Sequence, residues 1–163
     1  MFTISKIKKY SQTKRISVIA YCLMPNHFHF VVEIRGDVIL PEKKRCSIPQ
    51  FVSKQFSNLF SSYAQSFNRQ QNRRGDLFMS QFRRQPIDDD SYLTNVIRYV
   101  HLNHELHGFV NDFSQWEYSS YQALCSNEAT FLARDKVMRW FGNVSEFRMF
   151  HQTIDRPPDI SFL

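Results

Sequence analysis

Apolar positions along this chain follow two different rhythms. In residues 15–23 (RISVIAYCL) β-branched and apolar side chains crowd together, and residues 27–34 (HFHFVVEI) continue in the same character. Both segments read as strands. Met24, Pro25 and Asn26 between them favour a turn, so the two strands form a hairpin. From Ser47 the rhythm changes: Val52, Phe56, Leu59, Phe60, Tyr63 and Phe67 recur at intervals of three and four, which marks one buried face of a helix reaching about Asn68. Ser47, Pro49 and Gln50 supply its capping residue, first-turn proline and capping-box partner. A second helix begins among Asp88, Asp89, Asp90 and Ser91, carries Leu93, Val96, Ile97, Val100 and His104 as its buried stripe, and runs to about Leu106, where Gly108 stops it. Residues 3–13 predict a short basic helix, 35–46 and 68–76 polar loops, 77–87 an extended segment, and 133–141 an amphipathic stretch. The order is helix, two strands, helix, strand, helix: an α+β fold with an antiparallel sheet.

Alternation along the second strand turns His27 and His29 to one side, with Val31 and Glu33 after them. Phe28, Phe30, Val32 and Ile34 point to the other, uniformly apolar side, which is expected to pack on the helices and fix the register. Two neutral imidazoles on one face can share a divalent cation. A pair of this kind is equally at home on any half-exposed strand, so both readings stay open. On the second helix Tyr99 and Asn103 lie four residues apart and share a flank beside the buried stripe. A phenol is a weak nucleophile near neutral pH, because its pKa is roughly 10. A cation on the attacked phosphate would compensate, and Asn103 offers an oxygen one turn from Tyr99. The alternative is a packing tyrosine and a polar residue late in a helix.

Composition adjusts this picture modestly. The chain has 163 residues, 42% hydrophobic and 22% charged, enough for one domain with a core. Phe is abundant at 16 residues and Gly scarce at 4, which favours regular elements. The formal net charge of +6 suits an anionic partner, nucleic acid being the commonest, or simply a solvated basic surface. Three clusters stand out: Lys43, Lys44 and Arg45; Arg69, Arg73 and Arg74; Arg83 and Arg84. Cys22, Cys46 and Cys125 form no C-x-x-C pair, so neither a disulfide framework nor a zinc ribbon is expected, and a reducing cytoplasm is. No apolar run approaches the roughly 20 residues that span a bilayer, and the N-terminus lacks a signal-peptide core.

The two chemical signals sit inside a longer pattern. YCLMPNHFHFVV closely resembles the His-hydrophobic-His (HUH) segment of the REP-associated tyrosine transposases, within the single-tyrosine insertion-sequence transposase superfamily. LFSSYAQSFNR resembles that family's following helix, GDLFMSQFRRQPI its glycine, Phe and Arg segment, DDDSYLTNVIRYVHLN its tyrosine helix, and WEYSSY its W-x-x-S-S-Y box. The five segments occur in order and cover residues 15 to about 124. The resemblance implies a ferredoxin-like HUH nuclease fold with a central antiparallel sheet; the chain reads as a single domain over 1–163, with 125–163, beyond the resemblance, as a helical C-terminal extension. It implies a Mg²⁺ or Mn²⁺ ion held by His27, His29 and Asn103, and attack by Tyr99 on a phosphodiester of single-stranded DNA. The products would be a 5′-phosphotyrosine and a free 3′-OH, and another 3′-OH would reverse the step without ATP. DNA partners of the family point to a hairpin-forming repeat, with Lys43, Lys44, Arg45, Arg73, Arg74, Arg83 and Arg84 as candidate contacts. No membrane is implied, and monomer and homodimer both fit.

Two departures limit what carries over. The family continues its tyrosine helix with Asn-Pro, whereas this chain reads NHELHGFV; His104 in place of Pro lets the helix run on. His104 and His107 then have the choice of touching the site or DNA, or of packing and solvation. The family's first strand, which lies centrally in its sheet, is also missing ahead of the first helix. A truncated or domesticated DNA-binding protein without cleavage is therefore the competing function, and a metal hydrolase using water as nucleophile is a third.

Overall fold

The computed structural model describes Lys8 and residues 16–25, 27–35, 47–78 and 83–153. The chain forms two compact units: Met1–Ile16 with Ile34–Arg83, and Ser17–Glu33 with Arg84–Leu163. The basic helix expected at 3–13 lies, apart from Lys8, outside the described residues.

The first unit is built on α1, Ile48–Gln70. Its start is the capping box read from the sequence: Gln50 N–H donates to Ser47 Oγ at 3.4 Å, and Ser47 N–H donates to Gln50 Oε1 at 2.9 Å. Val52, Gln55 and Leu59 are buried, while the aromatic members of the expected stripe pack on one another. Phe56 stacks on Phe60 and Tyr63 approaches Phe67; Phe78 returns beyond the helix to meet both Phe60 and Tyr63. Asn72 takes a positive φ of 48°, a conformation asparagine tolerates, and Asn68 Nδ2 donates to Gly75 O to close the reversal. Of the extended segment expected at 77–87, residues 77–78 and 83–87 form no regular element, and 79–82 lie outside the described residues.

The second unit holds the hairpin, an antiparallel pair of β1 Ile16–Leu23 and β2 Phe28–Ile34, except for the end residues Ile16 and Ile34. Met24 N–H donates to His27 O at 2.8 Å across the turn. β1 is also paired on its other edge, by segments far along the chain. Ala133 N–H donates to Val18 O, Ser120 N–H to Tyr21 O, and Leu23 N–H to Tyr118 O. Helices α2 (Asp90–Leu106), α3 (Tyr121–Cys125), α4 (Arg134–Phe141) and α5 (Val144–His151) complete the unit, with a 3-10 turn at Phe113–Gln115. Asp89 caps α2 through Tyr92 N–H, and Gly108, at φ 72°, follows its last turn, as glycine does at helix ends. Among the described residues the sheet has two strands, consistent with a ferredoxin-like α+β fold short of a strand.

The core is made by Val18, Ile19, Ala20, Cys22, Val96, Ile97, Val100, Leu124, Val137 and Phe147. One sequence expectation is corrected here for α2. Helix α2 lies against the histidine side of the hairpin, where Cys22 Sγ contacts His104 Nδ1 at 3.4 Å and Val31 is buried. Phe28 and Phe30 occupy the opposite side, with Tyr21 and Phe131. Both sides of the hairpin are apolar enough to be covered, so alternation distinguishes two sides without saying which one takes the helix.

Candidate functional site

The site lies between β2 and α2, inside the second unit. Alternation brings His27 and His29 to the same side, their ring centroids 5.1 Å apart. Helical spacing brings Tyr99, Asn103 and His107 onto one line, one turn apart. The two elements run in opposite senses. His29 faces Tyr99, with centroids 5.9 Å apart, and His27 faces His107 at 5.5 Å, edge to face in both cases.

Asn103 sits in the middle, beside both histidines. His27 Nε2 lies 3.0 Å from Asn103 Oδ1. An amide oxygen only accepts, so the proton of this bond sits on His27 Nε2. Asn103 is also close enough to His29 to favour its protonated form. It is fully buried, and among the described residues its Nδ2 has no partner, although buried polar groups are nearly always satisfied. His29 is held neutral at physiological pH. Burial pushes its pKa down to about 4, the positive potential of His27 and His107 adds to this, and Asn103 partly opposes it.

Two imidazole nitrogens and an amide oxygen are donor types that can hold a divalent cation. His27 Nε2 and Asn103 Oδ1 lie 3.0 Å apart, close enough to serve one cation if the ion displaced the proton they share. The set depends on the amide: among the described residues no three His, Cys, Asp or Glu side chains converge on one point. Neutral imidazole and an uncharged amide leave the cation's charge available to an anionic ligand such as phosphate. Tyr99, half-buried, flanks that position.

Below the site, α2 is fixed by a buried polar chain that the sequence reading missed. His151 Nδ1 lies 2.8 Å from Phe147 O, which only accepts, so His151 is protonated there and its Nε2 accepts from His101 Nδ1 at 2.9 Å. His101 Nε2 must then accept the hydroxyl proton of Ser120, 2.7 Å away, while Ser120 Oγ accepts from Tyr21 N–H. One consistent set of tautomers thus links α2, α5 and β1, and both histidines are neutral. Burial lowers His101 far below the usual imidazole value, and the closeness of the His151 and His104 rings acts in the same direction by disfavouring a further proton. The signal for this chain was present as His101 and the second serine of WEYSSY, but only tertiary structure brings His151 to them. His104 is likewise a packing residue: it stacks on Trp116 and its Nε2 donates to Phe113 O.

Of the basic residues, Lys43, Lys44 and Arg45 lie outside the described residues. Arg73 and Arg74 are exposed in the loop after α1, in the first unit, and Arg83 and Arg84 are exposed ahead of α2. Cys22 is buried, its thiol pushed up to about 12 by burial, which rules it out as a ready thiolate. Among the described residues no helix is long and apolar enough to cross a membrane.

Comparison with known proteins covers the same part of the chain. Residues 2–103 match a family described as IS200-like transposases, and the match contains His27, His29, Tyr99 and Asn103. A protein of Haemophilus influenzae, whose name places it among the REP-associated tyrosine transposases, is 28% identical over 107 residues. The aligned region is 63% of this chain and 57% of that relative, so the chain spans little more than half the relative's length. No solved structure matches.

Proposed function

This chain belongs to the IS200-like transposase family, and from that premise we propose that it cuts and rejoins single-stranded DNA through a covalent bond to Tyr99. The observation that carries the proposal is the placing of Tyr99 beside His29, with Asn103 bonded to His27 one turn further along the same helix. The proposed nucleophile Tyr99 and proposed ligand Asn103 sit on α2, the proposed ligand His29 on β2, and His27 immediately before β2.

In the proposed reaction Tyr99 Oη attacks a backbone phosphorus. The Oη–P bond forms as the P–O3′ bond breaks, the phenolic proton passes to water, and the departing O3′ takes up a proton. A bound Mg²⁺ or Mn²⁺ would supply electrophilic activation of the phosphate and charge stabilisation in the transition state. His27, His29 and Asn103 would hold it. The neutral state of His29 supports this, because only an unprotonated imidazole has a lone pair to give. The covalent bond stores the energy of the broken one, so a 3′-OH can reverse the step. Single-stranded DNA, in hairpin form, is the proposed partner. Arg73, Arg74, Arg83 and Arg84, with Lys43, Lys44 and Arg45, are its proposed backbone contacts, and binding through them should weaken with salt.

The test is to incubate the protein with Mn²⁺ and labelled single-stranded hairpin DNA and separate the products on a denaturing protein gel. A labelled protein band that Tyr99→Phe abolishes is the expected result. Binding without any covalent band would favour a DNA-binding protein that does not cut. Cleavage that survives Tyr99→Phe would transfer the nucleophile's role to water.

A further inference from the structure

We infer that His107 is a DNA-contacting residue of this site, and that its imidazole holds the 3′-hydroxyl end of the cut strand. The inference rests on the Tyr99 reading above, and it concerns a residue beyond the family match, which ends at residue 103.

The argument begins with the line of side chains on α2. At 1.5 Å per residue, Tyr99, Asn103 and His107 rise along the helix in steps of about 6 Å. Asn103 and the two histidines occupy the middle, Tyr99 stands at the His29 end, and His107 stands at the His27 end. A phosphate gripped in the middle therefore has Tyr99 on one side and His107 on the other. In-line displacement requires the attacking and departing oxygens on opposite sides of phosphorus. Since Tyr99 Oη attacks from its own end, O3′ departs toward the end where His107 stands.

The chemistry of that end selects a hydroxyl rather than a second phosphate. His107 is the C-cap of α2, and the carbonyls of a helix C-terminus carry partial negative charge, which disfavours an anion. A neutral hydroxyl meets no such penalty and both donates and accepts, as a neutral imidazole does. His107 is also available. It is exposed, and among the described residues its ring makes no hydrogen bond, whereas His27 is engaged with Asn103 and His29 is partly buried. Retaining the 3′-hydroxyl matters to this reaction, because rejoining re-forms P–O3′ and releases Tyr99 Oη, and a strand that drifts away leaves the protein trapped on DNA.

Two measurements test the inference. In the Tyr99→Phe protein with Mn²⁺, fluorescence anisotropy compares an oligonucleotide ending in a 3′-hydroxyl with the same oligonucleotide ending in a 3′-deoxy sugar. The hydroxyl end is expected to bind about tenfold more tightly, a single hydrogen bond's worth. Adding His107→Ala should erase that preference, and His107→Gln, which keeps a donor and an acceptor, should restore most of it. In the Tyr99-containing protein, His107→Ala should raise the concentration of 3′-hydroxyl oligonucleotide needed to resolve the covalent adduct by a similar factor. Equal binding of the two ends, or a preference that persists in His107→Ala, overturns the inference whatever the adduct assay shows. A His107-dependent preference without any adduct would instead keep the contact and overturn the cutting reaction.

Discussion

Asn103 Oδ1 accepts a hydrogen bond from His27 Nε2 at 3.0 Å, across a sequence separation of 76 residues, and this bond ties the histidine strand to the tyrosine helix. The amide is buried completely. A residue that looked like one oxygen ligand among three is thus also the joint between the two elements that carry the site.

Asn103→Ala should therefore act on metal binding before anything else. Mn²⁺ affinity measured by isothermal titration calorimetry is expected to fall by about 10- to 100-fold, the usual cost of losing a ligand or its support. An unchanged affinity would remove Asn103, and with it the proposed geometry, from the cation set.

Ser120→Ala removes the hydroxyl that serves both Tyr21 N–H and His101 Nε2. Two buried groups lose their partner at once, so a loss of about 1–3 kcal/mol in urea denaturation is expected. A change within a few tenths of that scale would mean that water or a rearranged side chain replaces the hydroxyl.

The same chain makes the fold acid-sensitive. His151 is buried and its folded pKa is lowered to about 4, first by burial and then by the Arg98 charge, with the bond to Phe147 O opposing. The unfolded value is near 6.5. A lowered imidazole pKa means that the unfolded chain binds the proton first, so stability is complete above about pH 6.5 and is lost as pH falls from there toward 4. Between pH 7 and pH 5 this one group should account for about 2 kcal/mol. Denaturation midpoints at the two pH values check it: His151→Gln should show a flatter dependence than the unmodified chain, and parallel curves would count against the assignment.

Gly142, between α4 and α5, has a φ of 91°, and a Cβ there would collide with the carboxylate of Glu146. Gly142→Ala is expected to cost about 1 kcal/mol or more, read as a lower thermal midpoint. A neutral result would show that the Glu146 side chain swings aside and that the turn relaxes.

Much of this architecture could be read from residue order. The capping box at Ser47, the cap at Asp89 and the stop at Gly108 are local signals, and each sits where its chemistry requires. His27, His29, Tyr99 and Asn103 come together as their spacing on a strand and a helix suggested. What could not be read depends on the third dimension. Nothing local says which side of a hairpin with two apolar sides receives α2. His101 and His151 are 50 residues apart, and each alone resembles an ordinary polar residue in an amphipathic helix. His107 differed from a solvated histidine only by being four residues beyond Asn103, a spacing that gains meaning once β2 is seen to run against α2.

The pairing of β1 by distant backbone has a consequence for assembly. Its outer edge is spoken for by residues 118–120 and 133, so no additional strand can lie there. Among the described residues nothing pairs with the other edge of the sheet, alongside β2. A strand that widens the sheet, from this polypeptide or from a second copy, would lie directly against the one that bears His29 and follows His27, where its arrival would change the solvent exposure of both imidazoles.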